Sequence, residues 1–334
     1  MTEPQQRRKD GGNVLLLDTE YRDLSIERDA IGDTGGTLVV RSPSARTESD
    51  VLSTPQLETA QVLLVELAPV TREVLQRARN CRAVVRYGSG MDNIDLEAAQ
   101  ELGIRARGVP GYAADSVADH TLALLLSLVR RLPEAAIVVG RGAWRGDDAL
   151  PRPIGLKGQV LGLVGFGAIA QSVAIRAQAF GMKVIASDPF VTDVDAHSRG
   201  VELVEASEVF RRSDVVSLHL PLNDSTRDLV NREVLSTMKP SSILINTSRG
   251  GLIDPDALLD ALDAGFLDRV GLDVTVVEPP RIDDRLRQHP RVLLTPHVGY
   301  WSDQSELALR VSVARIAVEE LTRISAEGAE DESI

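Results

Sequence analysis

The chain has 334 residues, 43% of them apolar, with 49 acidic against 37 basic side chains and a formal net charge of −12. That length suits two domains of ordinary size, each with enough apolar residues for its own core. The acidic balance argues against a nucleic-acid or anionic-membrane surface, and the single cysteine, Cys81, excludes an internal disulfide.

The N-terminal segment Met1 to Gly12 reads as disordered. Its basic Arg7-Arg8-Lys9 is followed by Asp10-Gly11-Gly12-Asn13 rather than by the apolar core of a signal peptide, which with the lone cysteine points to a cytoplasmic protein. From Asn13 to Val109 short apolar runs alternate with helical stretches. Val14–Asp18, Leu38–Arg41, Val62–Glu66, Ala83–Tyr87 and Ile104–Ala106 are the expected strands; Val70–Ala78 and Leu96–Leu102 are the clearest helices. Such alternation implies a parallel sheet with covering helices. A longer helix is expected over Val117 to Arg131. Its apolar run Leu122 to Val129 is far short of the roughly 20 residues that span a bilayer, so it reads as buried. Trp144 to Leu156 reads as a surface loop. A second series follows, with strands Val160–Val164, Val184–Ser187, Val215–Leu220, Ile243–Asn246, Val270–Asp273 and Val292–Leu294, and a closing amphipathic helix, Asp303 to Ile324. Ala326 to Ile334 reads as disordered. No metal-ligand pattern stands out.

At the head of the second series an apolar strand runs into Gly165-Phe166-Gly167-Ala168-Ile169-Ala170, then a helical stretch, then a strand ending at Asp188. Gly165 permits a tight turn and Gly167 lets the backbone approach a pyrophosphate. The third, small position is Ala170. The helix N-terminus would hold the phosphates and Asp188 the adenosine ribose. The plainer reading is a tight turn in an ordinary α/β protein, but strand, turn, helix and acid stand in register for a dinucleotide.

Three further segments fall near expected strand ends: Asn246-Thr247-Ser248-Arg249-Gly250-Gly251, Gly271-Leu272-Asp273-Val274 with Glu278 after it, and Thr295-Pro296-His297-Val298-Gly299. Together they offer a guanidinium, a carboxylate and an imidazole. Reduction of a 2-oxo acid needs a cation for the substrate carboxylate, which Arg249 suits, and a proton donor for the carbonyl oxygen, which His297 suits. Glu278 bonded to the imidazole would fix its tautomer and favour its charged form. Taken singly, Arg249 reads more simply as a surface arginine, Glu278 as a solvated loop acid and His297 as a structural histidine. His120, His197 and His289 read as structural; His219, at a strand end beside Pro221, would line a cofactor cleft.

These segments, in this order after the glycine turn, resemble the D-isomer-specific 2-hydroxyacid dehydrogenases over about Val62 to Leu321. The blocks Arg86-Tyr87-Gly88-Ser89-Gly90-Met91-Asp92-Asn93-Ile94-Asp95, Val109-Pro110-Gly111 and Val117-Ala118-Asp119-His120 add to the likeness. Within the family the first of these, with Tyr300-Trp301-Ser302-Asp303-Gln304, is most similar to the C-terminal-binding proteins, NAD-dependent corepressors; Tyr300 stands where they carry a tryptophan.

The resemblance implies two Rossmann-like or flavodoxin-like α/β domains with parallel sheets and an interdomain cleft. The NAD-binding domain would be residues 108–298. The discontinuous substrate domain would be residues 1–107 and 299–334, with the last helix returning to it. The implied catalytic residues are Arg249, Glu278 and His297. NAD would be contacted by Gly165, Phe166, Gly167, Ala168, Ile169, Asp188, His219, Pro221, Thr226, Thr247, Ser248, Arg249, Asp273, His297 and Gly299. Substrate would meet Arg86, Gly88, Ser89, Gly90, Arg249 and Tyr300. The expected partners are a small 2-oxo or 2-hydroxy acid and a second copy of the chain in a homodimer, with no nucleic acid and no membrane. A second reading, from the corepressor likeness, is an NAD(H)-sensing regulatory protein with little turnover.

Overall fold

The structure is a computed structural model that describes residues 12–144 and 152–331. The expectations for residues 1–11, for 145–151 of the Trp144–Leu156 loop and for 332–334 lie outside the described residues. The chain divides into two compact units, Met1–Tyr112 with Asp303–Ile334, and Ala113–Ser302.

In the first unit the strands are β1 (Asn13–Leu16), β2 (Thr37–Val40), β3 (Val62–Val65), β4 (Ala83–Arg86) and β5 (Arg105–Arg107). All neighbours are parallel, in the order β2-β1-β3-β4-β5. Parallel strands are buried on both faces and therefore read as continuous apolar runs, as Val62-Leu63-Leu64-Val65 does with all four residues buried. One face carries a core of Leu15, Leu63, Val84 and the residues packed around them. The other packs Val14, Leu64 and Val85 against Leu309, Val313, Ile316 and Leu321 of the C-terminal helix, Asp303–Asp331. That helix runs past the expected end at Ile324, correcting the expectation of disorder from Ala326. No proline intervenes, and the Arg323–Glu327 pair, one helical turn apart at 3.2 Å, supports the extension.

Ser25–Asp33, a helix the sequence did not suggest, packs here because Glu27 is fully buried against Arg310, which grips it bidentately at 3.0 and 2.9 Å. The same carboxylate accepts the Tyr87 hydroxyl at 3.3 Å.

The second unit has, among the described residues, β6 (Val160–Val164), β7 (Lys183–Ser187), β8 (Val201–Leu203), β9 (Val215–Leu218), β10 (Ile243–Asn246), β11 (Arg269–Leu272) and β12 (Val292–Leu294). They are parallel in the order β12-β11-β10-β9-β6-β7-β8. The short β8 exceeds the six strands expected. Two cores, centred on Phe166 and Leu125 and on Phe210 and Leu262, cover the two faces. The helix Ala114–Val129 presents Leu124, Leu125 and Leu128 to the first of these cores. It ends at Val129, short of the expected Arg131, because Arg131 turns left-handed at φ 58°; Pro133 then sits in the first turn of the next helix, Leu132–Gly140. Strand order reverses between β6 and β9, and open α/β sheets bind ligands outside the carboxyl ends at such a point.

Candidate active site

The glycine turn leaves β6 at that reversal. Gly165 has φ 90°, and a Cβ on it would lie 2.5 Å from the His219 carbonyl oxygen, so both conformation and space demand glycine. Gly167 precedes the helix Ala168–Ala179, and a Cβ there would meet nothing within 4 Å. The free N-terminal N–H groups of this helix open on that space. Phe166 is fully buried, and its N–H donates to Asp188 Oδ2 at 2.8 Å. Asp188 Oδ1 accepts from Phe190 N–H, also at 2.8 Å. Both oxygens are thus anchored over the turn, and each keeps a lone pair for a ribose hydroxyl.

Across the reversal His219 follows β9. Its Nε2 pairs with Ser217 Oγ at 2.9 Å, while Nδ1 is enclosed without a partner. Burial pulls this imidazole down to about 4, so it is neutral at physiological pH. Pro221 and Thr226 share one loop, the Thr226 hydroxyl donating to the Pro221 carbonyl at 2.7 Å. An orphaned ring nitrogen, open space at a helix N-terminus and a fixed carboxylate fit a dinucleotide.

The arginine segment leaves β10. Ser248 Oγ donates to the Leu218 carbonyl at 2.9 Å, and buried Asn246 Nδ2 donates to the Arg249 carbonyl at 2.8 Å. Thr247 Oγ1 lies 3.0 Å from Thr121 Oγ1 on the helix Ala114–Val129. Arg249 Nη1 donates to the Ser248 carbonyl at 2.8 Å. A Cβ on Gly250 would overlap the backbone of Thr275, so the arginine turn lies directly against the loop carrying Glu278.

Glu278 Oε1 accepts from Thr275 N–H at 3.0 Å, and Oε2 lies 2.6 Å from His297 Nδ1. Burial alone would raise this carboxyl. The His297 bond, the Thr275 N–H and the Arg249 charge outweigh it and hold the group below its usual range. His297 has φ 55°, is partly exposed, and has the ring of Tyr300 edge-on at 6.2 Å. With Nδ1 on the carboxylate, Nε2 is the nitrogen turned away from it. The pair can hold a proton on a fixed tautomer and pass it through Nε2.

Beneath this pair lies an arrangement the sequence did not suggest. Asp273, 2% exposed, accepts from Thr295 Oγ1 at 2.5 Å, Val298 N–H at 3.0 Å and Gly299 N–H at 2.7 Å. Since the Thr295 hydroxyl spends its proton on Asp273, it accepts from His120 Nε2, 2.9 Å away. Burial pushes the Asp273 carboxyl up, but His120, whose Nε2 also lies 3.3 Å from Oδ1, and these donors prevail and it is lowered. His120, read as merely structural from sequence, ties the first helix of the unit to the loop that presents His297. Its only sequence signal was the Val117-Ala118-Asp119-His120 block.

In the first unit Arg86 ends β4, and its Nε donates to the Glu66 carbonyl at 3.2 Å. Gly88 has φ 141°, and the Arg86 guanidinium fills the space a Cβ would take. Ser89 Oγ donates to the Val109 carbonyl at 3.0 Å, closing the Gly88–Gly90 loop. Among the described residues no His/Cys/Asp/Glu group could hold a metal ion, and no helix is long and apolar enough to cross a membrane.

The family model for the D-isomer specific 2-hydroxyacid dehydrogenase NAD-binding domain matches residues 122–299. The chain is 37% identical over 303 residues to D-3-phosphoglycerate dehydrogenase of Methanocaldococcus jannaschii, covering 90% of this chain but 56% of that relative's length. It is 38% identical over 263 residues to hydroxypyruvate reductase of Thermotoga maritima, covering 78% and 84%. Among solved structures, the TT0316 protein from Thermus thermophilus superposes with a TM-score of 0.81 at 36% identity, over 95% and 97% of the two chains. D-lactate dehydrogenase from Aquifex aeolicus, complexed with NAD and lactic acid, superposes with a TM-score of 0.83 at 29% identity, again over 95% and 97%. With its two parallel sheets, its glycine turn at the strand reversal and these relatives, the chain belongs to the D-isomer specific 2-hydroxyacid dehydrogenase family.

Proposed function

We propose that the protein is an NAD-dependent oxidoreductase that reversibly reduces a 2-oxo acid to the D-2-hydroxy acid. The observation that carries this reading is the 2.6 Å contact of Glu278 with His297, on loops of the same sheet that ends in Arg249 and the glycine turn. NADH, when bound, would supply a hydride, one proton with two electrons, to the carbonyl carbon. Gly165 to Ile169 and Asp188 hold that cofactor, with His219, Pro221, Thr226, Thr247, Ser248, Asp273 and Gly299 around it. Arg249 binds the substrate carboxylate and polarises the carbonyl through its planar fork. His297 gives its Nε2 proton to the carbonyl oxygen on reduction and takes it back on oxidation; Glu278 stabilises the imidazolium that precedes reduction and follows oxidation. By the resemblance, substrate contacts are assigned to Arg86, Gly88, Ser89, Gly90 and Tyr300.

We also read the protein as a cytoplasmic homodimer. Support for the dimer comes from the helix Leu132–Gly140, which has no buried residue and exposes Leu132, Ile137 and Val139. The corepressor-like branch rests on Arg86 to Asp95 and Tyr300 to Gln304 alone; the curated relatives above carry enzyme names, and the enzyme is the reading we hold.

The test is a panel of short 2-oxo acids with purified protein, following NADH oxidation by absorbance. Turnover of at least one acid supports the proposal. Tight NADH binding with no turnover of any acid would overturn it in favour of a cofactor-sensing role.

A further inference from the structure

His297 keeps a backbone conformation that an L-residue rarely adopts, with φ 55°. Such a conformation persists only where its surroundings impose it. The His297 N–H donates to the Asp273 carbonyl at 2.8 Å and to the Thr295 carbonyl at 3.1 Å. The next two N–H groups, of Val298 and Gly299, are both spent on the Asp273 carboxylate. A Cβ on Gly299 would lie 2.9 Å from Asp273 Oδ2 and 3.4 Å from His120 Cδ2, so the loop seats directly on both side chains. The carboxylate is the clamp on this loop, and its position decides where the His297 ring points. Asp273 is held in turn by Thr295 Oγ1 at 2.5 Å and, behind it, by His120 Nε2, 2.9 Å from that hydroxyl and 3.3 Å from Oδ1. His120 stands on a rigid element. Leu124, Leu125 and Leu128 of its helix lie in the core, and the neighbouring Thr121 hydroxyl is 3.0 Å from Thr247 Oγ1, two residues before Arg249.

We propose that His120 is a positioning residue for the proton step: its Nε2–H, acting through the Thr295 hydroxyl, fixes the Asp273 clamp and with it the direction of the His297 ring. This rests on the reading of His297 as the proton carrier. His120 exchanges no proton in this scheme. It contributes a donor, its Nε2–H set by the Thr295 hydroxyl, which gives its own proton to Asp273. A group that must meet a reacting atom within a fraction of an ångström depends on such supporting bonds. The donor, rather than the ring, is what the position requires. Glutamine carries an amide N–H at a comparable reach from the backbone, whereas leucine fills the space and donates nothing.

The experiment measures kcat for glyoxylate, pyruvate and hydroxypyruvate with NADH, and NADH affinity by fluorescence titration, in wild type, His120→Leu, His120→Gln, Thr295→Val and the double variant His120→Leu with Thr295→Val. The expected result for His120→Leu is a loss of about tenfold in kcat, the scale of a small misplacement of a reacting group, with NADH affinity within about threefold of wild type. His120→Gln recovers kcat to within about threefold. Thr295→Val, which removes only a hydroxyl, shows the loss by itself should His120→Leu not fold. The double variant loses little more than the slower single one, because the two side chains act in one relay. Wild-type kcat in folded His120→Leu or in Thr295→Val overturns the positioning role. So does a glutamine variant as slow as the leucine one, a pair of losses that multiply in the double variant, or NADH affinity that falls in step with kcat. In each of these cases wild-type turnover keeps the enzyme reading. Failure of the wild-type protein to reduce all three acids overturns both.

Discussion

Glu278 holds His297 from one side only: Oε2 lies 2.6 Å from Nδ1, while Oε1 is fixed by the Thr275 N–H at 3.0 Å. The carboxylate can neither rotate away nor take the imidazole by its other nitrogen. Tautomer and ring orientation follow from this one contact, as in carboxylate–histidine pairs generally.

The first prediction concerns pH. The Glu278 carboxyl is lowered, so the stability it confers is present above the ordinary glutamate value of about 4.3 and is lost as pH falls through the depressed folded value. At neutral pH it is an anion that favours the imidazolium. Glu278→Gln removes that anion, so the alkaline limb of the reduction profile moves to lower pH by about one unit. The profile of kcat/KM against pH measures it, and an unmoved limb takes Glu278 out of the proton step.

Gly250 makes the second. Its missing Cβ is what lets the Arg249 turn lie against Thr275. Gly250→Ala forces the two segments apart and should cost about 1–3 kcal/mol of stability, as overpacking does. Turnover should fall further than the melting temperature explains, because Arg249 and Glu278 are displaced together. Thermal unfolding and kcat measured on the same sample check this; unchanged turnover would separate Arg249 from the reaction.

Arg249→Lys is the third. A point ammonium cannot reproduce a planar fork on a carboxylate, so KM rises and kcat falls together. Steady-state kinetics decide it. Wild-type constants in the variant would transfer the carboxylate to Arg86.

The fourth concerns the cofactor. Asp188 is anchored by the N–H groups of Phe166 and Phe190 and cannot swing aside for a 2′-phosphate. NADH should bind at least about tenfold more tightly than NADPH, roughly 1.4 kcal/mol. Fluorescence titration of both gives the ratio; equal affinity means that Asp188 is not on the ribose.

How much of this could be read from residues alone varied with its physical origin. The inner strands announce themselves because a parallel strand buried on both faces reads as an apolar run, as Val160–Val164 does and as Ile243-Leu244-Ile245 does before the buried Asn246, both strands having the expected bounds. Val201-Glu202-Leu203, at the sheet edge with an exposed acid in its middle, has no such run and went unread. The helix Ser25–Asp33 shows only Ile31 as a buried apolar residue; what seats it is Glu27 on Arg310, 283 positions along the chain. The glycine turn and Asp188 are local in sequence and spaced by known geometry. The linkage of His120 to Thr295 spans 175 positions, and no local pattern could mark it.

The account's central claim is that His297 moves the proton. Its most direct test is His297→Ala, assayed for 2-oxo acid reduction alongside NADH affinity. The account predicts a loss of turnover of about 10² or more, the usual worth of a general acid–base group, with NADH affinity nearly intact. Turnover close to wild type in that variant would contradict it.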